Sequence, residues 1–173
     1  MRALILGGAR SGKSAYAERL AATTSGAGKV LYVATALVGE DRDLAQRVRL
    51  HRERRPAGWG TLELGSGELD PVLKAAEGWE VVLVDSLTLW VSARMLDEEP
   101  GKKTLEAFDR FLEGAGALAT PLILVSDEVG LGVVPESGAG RRFRDTLGLV
   151  NQRAAALAEE VHVCVAGIGM RIK

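Results

Sequence analysis

The chain has 173 residues, 47% apolar and 26% charged, a composition typical of a folded globular domain. Its 22 basic and 23 acidic residues give a formal charge of −1, which argues against a nucleic-acid coat or a membrane-surface protein, because both need a basic excess. This length predicts one domain over residues 1–173. Cys164 is the one cysteine and cannot form an internal disulfide, and no apolar run is long enough to cross a membrane. We therefore expect a cytoplasmic protein without a membrane span and without a nucleic-acid partner.

Five short apolar runs alternate with helical patterns along the chain. Such runs, apolar without strict alternation, are typical of strands buried on both faces of a parallel sheet. The predicted strands are residues 3–6, 30–34, 81–84, 122–125 and 161–166. The predicted helices are residues 13–22, 41–54, 105–118 and 149–160. This order predicts an α/β fold with a mostly parallel twisted sheet flanked by helices.

Three further segments are predicted as turns, loops or an edge strand. Residues 97–103 combine charges with Pro100-Gly101, which favours a mobile surface loop. Residues 132–140 are glycine-rich and are predicted to be flexible. Residues 168–173 follow Gly167 and include Gly169, and they are predicted to turn back into an edge strand, antiparallel to its neighbour.

A phosphate-binding motif follows the first predicted strand. It fits the pattern G-x-x-x-x-G-K-[ST] without a mismatch, between a strand and a helix, as this motif requires. Its residues, named here the phosphate loop, are Gly7, Gly8, Ala9, Arg10, Ser11, Gly12, Lys13 and Ser14. Glycines let successive N–H groups point at phosphate oxygens, and the following helix adds its positive end. Lys13 is then expected to bridge the β- and γ-phosphates, and the Ser14 hydroxyl to ligate Mg²⁺.

Asp85 ends the third predicted strand, at the edge of the sheet where such folds bind ligands. A phosphate loop needs an acid for its metal ion, so Asp85 is the second predicted ligand of Mg²⁺. The alternative is that its carboxylate caps the helix that begins near Ser86.

His51 ends a predicted helix beside three arginines, Arg52, Arg54 and Arg55, before Pro56. Nearby cations disfavour the imidazolium form, so His51 is expected to stay neutral and nucleophilic while the arginines clamp a triphosphate. A neutral imidazole can attack phosphorus. A solvated basic helix end, with His51 packed on the sheet, is the structural alternative.

The motif alone does not separate the classes of phosphate-loop proteins. The sequence has no Asn-Lys-x-Asp stretch, the guanine-reading element of switch GTPases, and no basic DNA-contacting loops of a recombinase. A small-molecule kinase or a related transferase remains. A nucleotide-dependent regulatory protein without an acceptor is the alternative from a different class.

The chain resembles, nearly end to end, the bifunctional adenosylcobinamide kinase/adenosylcobinamide-phosphate guanylyltransferases of cobalamin assembly. The resemblance rests on the phosphate loop and on several later landmarks. These are residues 32–35, 51–59, 87–91, 142–145 and 151–153, and the unusual run Glu128-Val129-Gly130-Leu131-Gly132-Val133-Val134-Pro135-Glu136.

The resemblance implies two reactions on a single RecA-like P-loop NTPase domain. The γ-phosphate of ATP or GTP passes to the aminopropanol hydroxyl of adenosylcobinamide, and GMP from GTP then joins that phosphate, giving adenosylcobinamide-GDP and pyrophosphate. The family's guanylylated histidine corresponds to His51, and the family forms homotrimers. A simple P-loop kinase that transfers only the γ-phosphate is the alternative.

The resemblance also implies nucleotide contacts beyond the phosphate loop. These residues are Ala34, Thr35, Arg52, Glu53, Arg54, Arg55, Glu63 and Asp85. Glu63 is expected to accept hydrogen bonds from guanine or ribose. Lys13 and His51 are the predicted catalytic residues, together with Glu128.

Glu128 follows the fourth predicted strand and therefore also lies at the carboxyl edge of the sheet. It is expected to orient the acceptor hydroxyl or to act as general base in the kinase step, with turn capping as the alternative. Two roles stay open for Arg142, Arg144 and residues 151–153: contacts with substrate, phosphate or a neighbouring subunit, or salt bridges on a helix surface. His162 is predicted to be a packed core or edge residue, Cys164 a core residue, and the three tryptophans packing residues.

Three positions depart from the family's usual pattern. Asp41-Arg42-Asp43-Leu44 stands where the family often has Asp-x-Glu-Met, and Ser86 where it often has cysteine. Ser126-Asp127-Glu128 stands where it often has Ser-Asn-Glu. These departures leave the phosphate loop and His51 intact.

Overall fold

A computed structural model describes residues 1–26, 28–36, 55–65, 67–96 and 101–173. The predicted helix at residues 41–54 lies outside the described residues, and with it His51, Arg52, Glu53 and Arg54. The strands in the described part of the chain are β1 (Arg2–Gly7), β2 (Val30–Ala34), β3 (Gly60–Glu63), β4 (Val81–Asp85), β5 (Leu122–Asp127), β6 (Glu160–Val165) and β7 (Ile168–Arg171). The helices there are α1 (Lys13–Thr24), α2 (Asp70–Ala75), α3 (Leu87–Leu96), α4 (Gly101–Ala117) and α5 (Gly138–Leu157).

The strands form one sheet in the order β3-β2-β4-β5-β1-β6-β7. Every neighbouring pair is parallel except β6 with β7, so the predicted α/β fold with a mostly parallel sheet is confirmed. The antiparallel edge strand predicted near the end of the chain is confirmed as β7.

Alternate side chains of the strands enter two separate cores, one on each face of the sheet. Ala3 and Ile5 of β1 pack with Ala17 and Ala21 of α1 on one face. Leu4 of β1 packs on the other face, in the larger core that holds Trp90 of α3 and the two buried phenylalanines of α4, Phe108 and Phe111. Burial on both faces explains why these strands have apolar runs without alternation.

Two predicted loops are partly wrong. The loop predicted at residues 97–103 extends too far at its C-terminal end, because Gly101, Lys102 and Lys103 form the start of α4. Residues 97–100 lie outside the described part of the chain. The flexible stretch at 132–140 ends at Ser137, whose hydroxyl accepts the Gly140 N–H at 3.0 Å and so caps α5. This cap lets a glycine- and arginine-rich turn start the helix eleven residues before the predicted position, 149.

Other boundaries differ by a few residues, β3 and α2 were not predicted, and α3 was expected only as a helix that begins near Ser86. Glu160 belongs to β6 and not to the preceding helix, and Ala166 lies in the β6–β7 turn in the left-handed region, with φ of 51°. Strand β3 and helix α2 are short, with four and six residues, and carry weak periodic signals. Among the described residues, no helix has the length and apolar character needed to span a bilayer.

Candidate active site

The carboxyl ends of β1, β2, β4 and β5 converge on one cavity of about 770 Å³. Many of the residues that line it were predicted from the sequence as site residues. These lining residues are Ala9, Arg10, Ser11, Gly12, Lys13, Ser14, Ala34, Arg55, Asp85 and Glu128. Tyr32, Leu89, Asp127 and Val129 also line it and were not predicted as site residues.

The phosphate loop bends sharply between β1 and α1. Gly12 has φ of +88°, a left-handed conformation that glycine adopts without steric cost, and it precedes the first residue of α1. A glycine has no side chain with which to cap the first turn of the helix, so the N–H groups there are free to face an anion. The turn therefore leaves backbone N–H groups available to an anion, as the motif predicts.

The turn between β6 and β7 supports the phosphate loop from behind. The Gly167 N–H donates to the Ser11 carbonyl at 2.8 Å. A Cβ on Gly12 would lie 2.9 Å from the Gly167 Cα, and one on Gly7 would lie 2.8 Å from the Cys164 carbonyl oxygen. These close backbone approaches are a second reason for glycine at positions 7 and 12.

Lys13 is held by groups at the edge of the sheet. Its Nζ lies 2.5 Å from Asp127 Oδ1 and 3.4 Å from the Gly8 carbonyl oxygen. The backbone of Asp127 is fixed in turn, because its N–H donates to the Thr88 hydroxyl at 2.7 Å and its carbonyl accepts from the Asn151 amide at 3.0 Å. Asp127 therefore occupies the place beside the loop lysine where the phosphates of a nucleotide are expected.

Asp85 faces the cavity from the end of β4. Its Oδ2 accepts the Tyr32 hydroxyl at 2.7 Å, and the guanidinium carbon of Arg55 lies 3.4 Å from the centre of the Tyr32 ring. Burial, and then the neighbouring Asp85 charge, raise the pKa of Tyr32, so this hydroxyl stays protonated as a donor. The helix cap considered for Asp85 is supplied by Ser86, whose hydroxyl accepts the Leu89 N–H at 3.3 Å.

Thr35 lies behind the cavity rather than in its wall. Its side chain is fully buried, and its hydroxyl donates to the Ser86 carbonyl at 2.7 Å and accepts the Ser86 N–H at 2.9 Å. The structure thus gives Thr35 a positioning contact with the segment that follows Asp85.

Glu128 lines the cavity and also stabilises the turn after β5. Its Oε1 accepts the Gly130 N–H at 2.6 Å, and its own N–H donates to the Gly7 carbonyl at 3.2 Å. The turn capping that was considered for Glu128 is therefore present, on a carboxylate that also reaches the site.

A second cavity of about 450 Å³ adjoins the first through Arg55, which lines both. Glu63, at the end of β3, lines this second cavity together with Trp59 and Thr61. Arg55 donates to the Thr61 hydroxyl at 3.0 Å. The predicted contact residue Glu63 thus lies beside the main cavity rather than in it.

Two of the remaining arginine candidates form ion pairs outside the cavity. Arg144 pairs with Asp145 at 3.3 Å, and Arg153 pairs with Asp109 at 2.6 Å. His162 is buried, with Nδ1 2.9 Å from the Tyr16 hydroxyl and Nε2 3.1 Å from Glu160. The core predictions for His162 and for the buried Cys164 and Trp90 are confirmed, while Trp59 and Trp79 pack as partly buried residues.

Comparison with known proteins extends over the whole chain. The family described as "Cobinamide kinase / cobinamide phosphate guanyltransferase" matches residues 3–172. The chain is 45% identical over 173 residues to the bifunctional adenosylcobalamin biosynthesis protein CobP of Pseudomonas aeruginosa, covering 100% of this chain and 98% of that protein. It is 39% identical to the bifunctional adenosylcobalamin biosynthesis protein CobU of Escherichia coli and 37% identical to that of Salmonella typhimurium, each over the full length of both chains. The chain therefore belongs to the cobinamide kinase / cobinamide phosphate guanyltransferase family.

Proposed function

We propose that this chain carries out two successive transfers to one corrinoid acceptor at the cavity between the phosphate loop and Asp85. The γ-phosphate of ATP or GTP first passes to the aminopropanol hydroxyl of adenosylcobinamide. GMP from GTP then passes to the new phosphate, which gives adenosylcobinamide-GDP and pyrophosphate. The observation that carries the proposal is the cavity itself, in which a phosphate loop faces a strand-end carboxylate in a chain of this family.

In the kinase step, the acceptor hydroxyl oxygen attacks the γ-phosphorus, and the bond from that phosphorus to the β–γ bridging oxygen breaks. The nucleoside diphosphate leaves, and the hydroxyl proton passes to a base. Lys13 and the N–H groups of the loop stabilise the charge that develops on the phosphate oxygens. Glu128 is the proposed base, because its carboxylate lines the cavity beside the loop.

In the guanylyl step, an imidazole nitrogen of His51 attacks the α-phosphorus of GTP, and the bond to the α–β bridging oxygen breaks so that pyrophosphate leaves. A phosphate oxygen of the acceptor then attacks the same phosphorus, and the phosphorus–nitrogen bond breaks. Two arguments support His51. It stands before Arg52 and Arg55 in the sequence, as the guanylylated histidine of the resembling family does, and Arg55 lines the cavity.

The residues at the cavity fit a magnesium ion. Ser14 and Asp85 both line it and supply a hydroxyl and a carboxylate, the hard oxygen ligands that Mg²⁺ prefers. In the described part of the chain, no group of three or more acidic, histidine or cysteine side chains forms a closed metal site. Bound at the cavity, Mg²⁺ would supply neutralising charge to the phosphates.

The fold subclass and the assembly proposed for the chain rest on its resemblance to the family. A mostly parallel sheet with a phosphate loop after β1 and a strand-end acid on β4 supports a RecA-like P-loop NTPase fold, formed by residues 1–173 as one domain. We propose a homotrimer as the assembly.

Product analysis tests the two reactions. The protein is incubated with Mg²⁺, GTP and adenosylcobinamide, and the corrinoids are followed by mass spectrometry over time. We expect the phosphate ester to appear first and adenosylcobinamide-GDP afterwards. Lys13→Ala should abolish the first product, whereas Lys102→Ala, an exposed lysine of α4, should leave both. Phosphate ester without any GDP adduct would support the simple kinase, and no corrinoid product would overturn the proposal.

A further inference from the structure

Residues 130–136 form a loop that begins at the wall of the active-site cavity and presents aliphatic side chains to solvent. Leu131 is 92% exposed, Val133 94% and Val134 56%. The residues just before them, Glu128 and Val129, line the cavity. Leu131 is two residues beyond Val129, within about 7 Å of it along the chain, so the apolar surface adjoins the cavity.

The loop is held by hydrogen bonds at both ends. At its start, the Gly130 N–H donates to Glu128 Oε1 at 2.6 Å. At its end, Arg141 donates to the carbonyls of Pro135 at 3.0 Å and Glu136 at 2.6 Å, and Ser137 caps the helix that follows. A soluble domain rarely holds several aliphatic side chains in water without a ligand or partner for them.

We propose that residues 131–134 bind the corrin macrocycle of the acceptor while its aminopropanol arm enters the cavity. This inference rests on the proposed function. A corrinoid combines an apolar, methylated ring with amide arms and is bulkier than a nucleotide. A cavity of about 770 Å³ that holds a nucleoside triphosphate leaves the ring outside, against the surface next to its opening. Leu131, Val133 and Val134 supply an apolar surface in that place.

Two adjoining features suit the same ligand. Glycines on both sides of Leu131 leave the loop without bulk, and a Cβ on Gly132 would meet no atom within 4 Å, so a flat ring can approach the backbone. Glu128 joins the loop to the cavity, because the same carboxylate caps the loop and lines the site. An acceptor that rests on the loop therefore directs its hydroxyl arm toward the proposed base.

Equilibrium dialysis with adenosylcobinamide, detected by its own visible absorbance, tests the assignment. The variant is Leu131→Ser/Val133→Ser, and the matched control is Ile172→Ser. Ile172 is an aliphatic residue that is 65% exposed, and its N–H donates to the carbonyl of Val161 near the start of β6. It therefore lies at the end of the sheet opposite to the cavity. We expect the double variant to bind corrinoid at least about tenfold more weakly, as the loss of two buried aliphatic contacts produces. Its GTP affinity and the corrinoid affinity of Ile172→Ser should be unchanged.

The outcomes separate this inference from the proposed function. If the wild-type protein binds no corrinoid, with or without GTP, both fail. If the wild type and the double variant bind corrinoid equally, the loop assignment fails and the proposed function stands. Sedimentation of both proteins distinguishes a subunit contact: dissociation of the double variant, whatever its corrinoid affinity, assigns the loop to a neighbouring copy and overturns the inference, whereas weaker corrinoid binding by an intact assembly supports it.

Discussion

Lys13 of the phosphate loop and Asp127 at the end of β5 form an ion pair, with Nζ 2.5 Å from Oδ1. The phosphates of a bound nucleotide would compete with Asp127 for the lysine, and the carboxylate would repel them. We therefore expect this ion pair to weaken the binding of a nucleotide at the phosphate loop. The resembling family often has asparagine at this position, which makes the charge a particular feature of this chain.

Asp127→Asn is expected to tighten GTP binding by a factor of about 3 to 10, because the variant keeps a polar group but loses the competing charge. Isothermal titration calorimetry at low and high salt measures the change, which should shrink as salt screens the charge. Asp109→Asn, which removes a carboxylate paired with Arg153 away from the cavity, is the control. Weaker GTP binding by Asp127→Asn would instead give this carboxylate a direct supporting role.

Tyr32→Phe is expected to lower kcat/KM for both transfers by about tenfold and to raise the Mg²⁺ concentration needed for activity. The substitution removes the 2.7 Å hydrogen bond that orients Asp85 but keeps the ring beneath Arg55. The control is Tyr16→Phe, since Tyr16 pairs with His162 instead. An unchanged Mg²⁺ dependence would show that Tyr32 does not act by orienting a ligand of Mg²⁺.

The raised pKa of Tyr32 also has a consequence for stability at alkaline pH. The folded protein holds this proton more tightly than the unfolded chain, whose ordinary value is 10.0. The contribution of this group to stability is thus complete below about pH 10 and declines as the pH rises above it. In Tyr16→Phe, where Tyr32 is the sole tyrosine, absorbance at 295 nm should show ionisation only as the protein unfolds. Ionisation near pH 10 in the folded protein would contradict this prediction.

Gly12→Ala is expected to weaken GTP binding more than tenfold and to destabilise the protein by about 1–2 kcal/mol. The alanine would sit at φ of +88° with its Cβ 2.9 Å from Gly167. Gly78→Ala is the matched control, because Gly78 has φ of +81° but open space around the added Cβ. The control should lose comparable stability and keep its GTP affinity. Equal losses of GTP affinity in both variants would show that contact between the loop and the β6–β7 turn is unimportant.

Cys164 is expected to resist thiol reagents in the folded protein. Burial raises the pKa of its thiol, so the reactive thiolate is scarcer at neutral pH than in an unfolded chain. The time course of reaction with a chromogenic disulfide reagent, with and without denaturant, measures the difference. Fast modification in buffer alone would contradict the burial of this residue beside β1.

The sequence predicted most of the sheet because its strands are buried on both faces. The runs that became β1, β2, β4, β5 and β6 are continuous and apolar, and such runs are hard to place elsewhere. Strand β3 was missed because its four residues lie at the edge of the sheet and are alternately half-buried and exposed. The start of α5 was missed because its first turn contains two glycines, which disfavour a helix by propensity, and the cap by Ser137 became evident only in the structure.

The site was predictable where a local motif specifies it. The phosphate loop and Asp85 were found from spacing and strand position, and both line the cavity. Tyr32 and Asp127 were missed because their roles depend on contacts across the sheet, with Asp85 fifty-three residues away and with Lys13 on another element. The residues next to Tyr32 and Asp127 in the sequence do not indicate that these side chains contact Asp85 and Lys13.

Labelling of the protein by GTP tests the central claim most directly. The protein and His51→Ala are each incubated with Mg²⁺ and GTP carrying label at the α- or γ-phosphate, denatured and separated from free nucleotide. We expect acid-labile, base-stable α-label on the wild-type chain, absent from His51→Ala and discharged by adenosylcobinamide phosphate. Absence of α-label from the wild type, or α-label that persists in His51→Ala, would contradict transfer through this histidine.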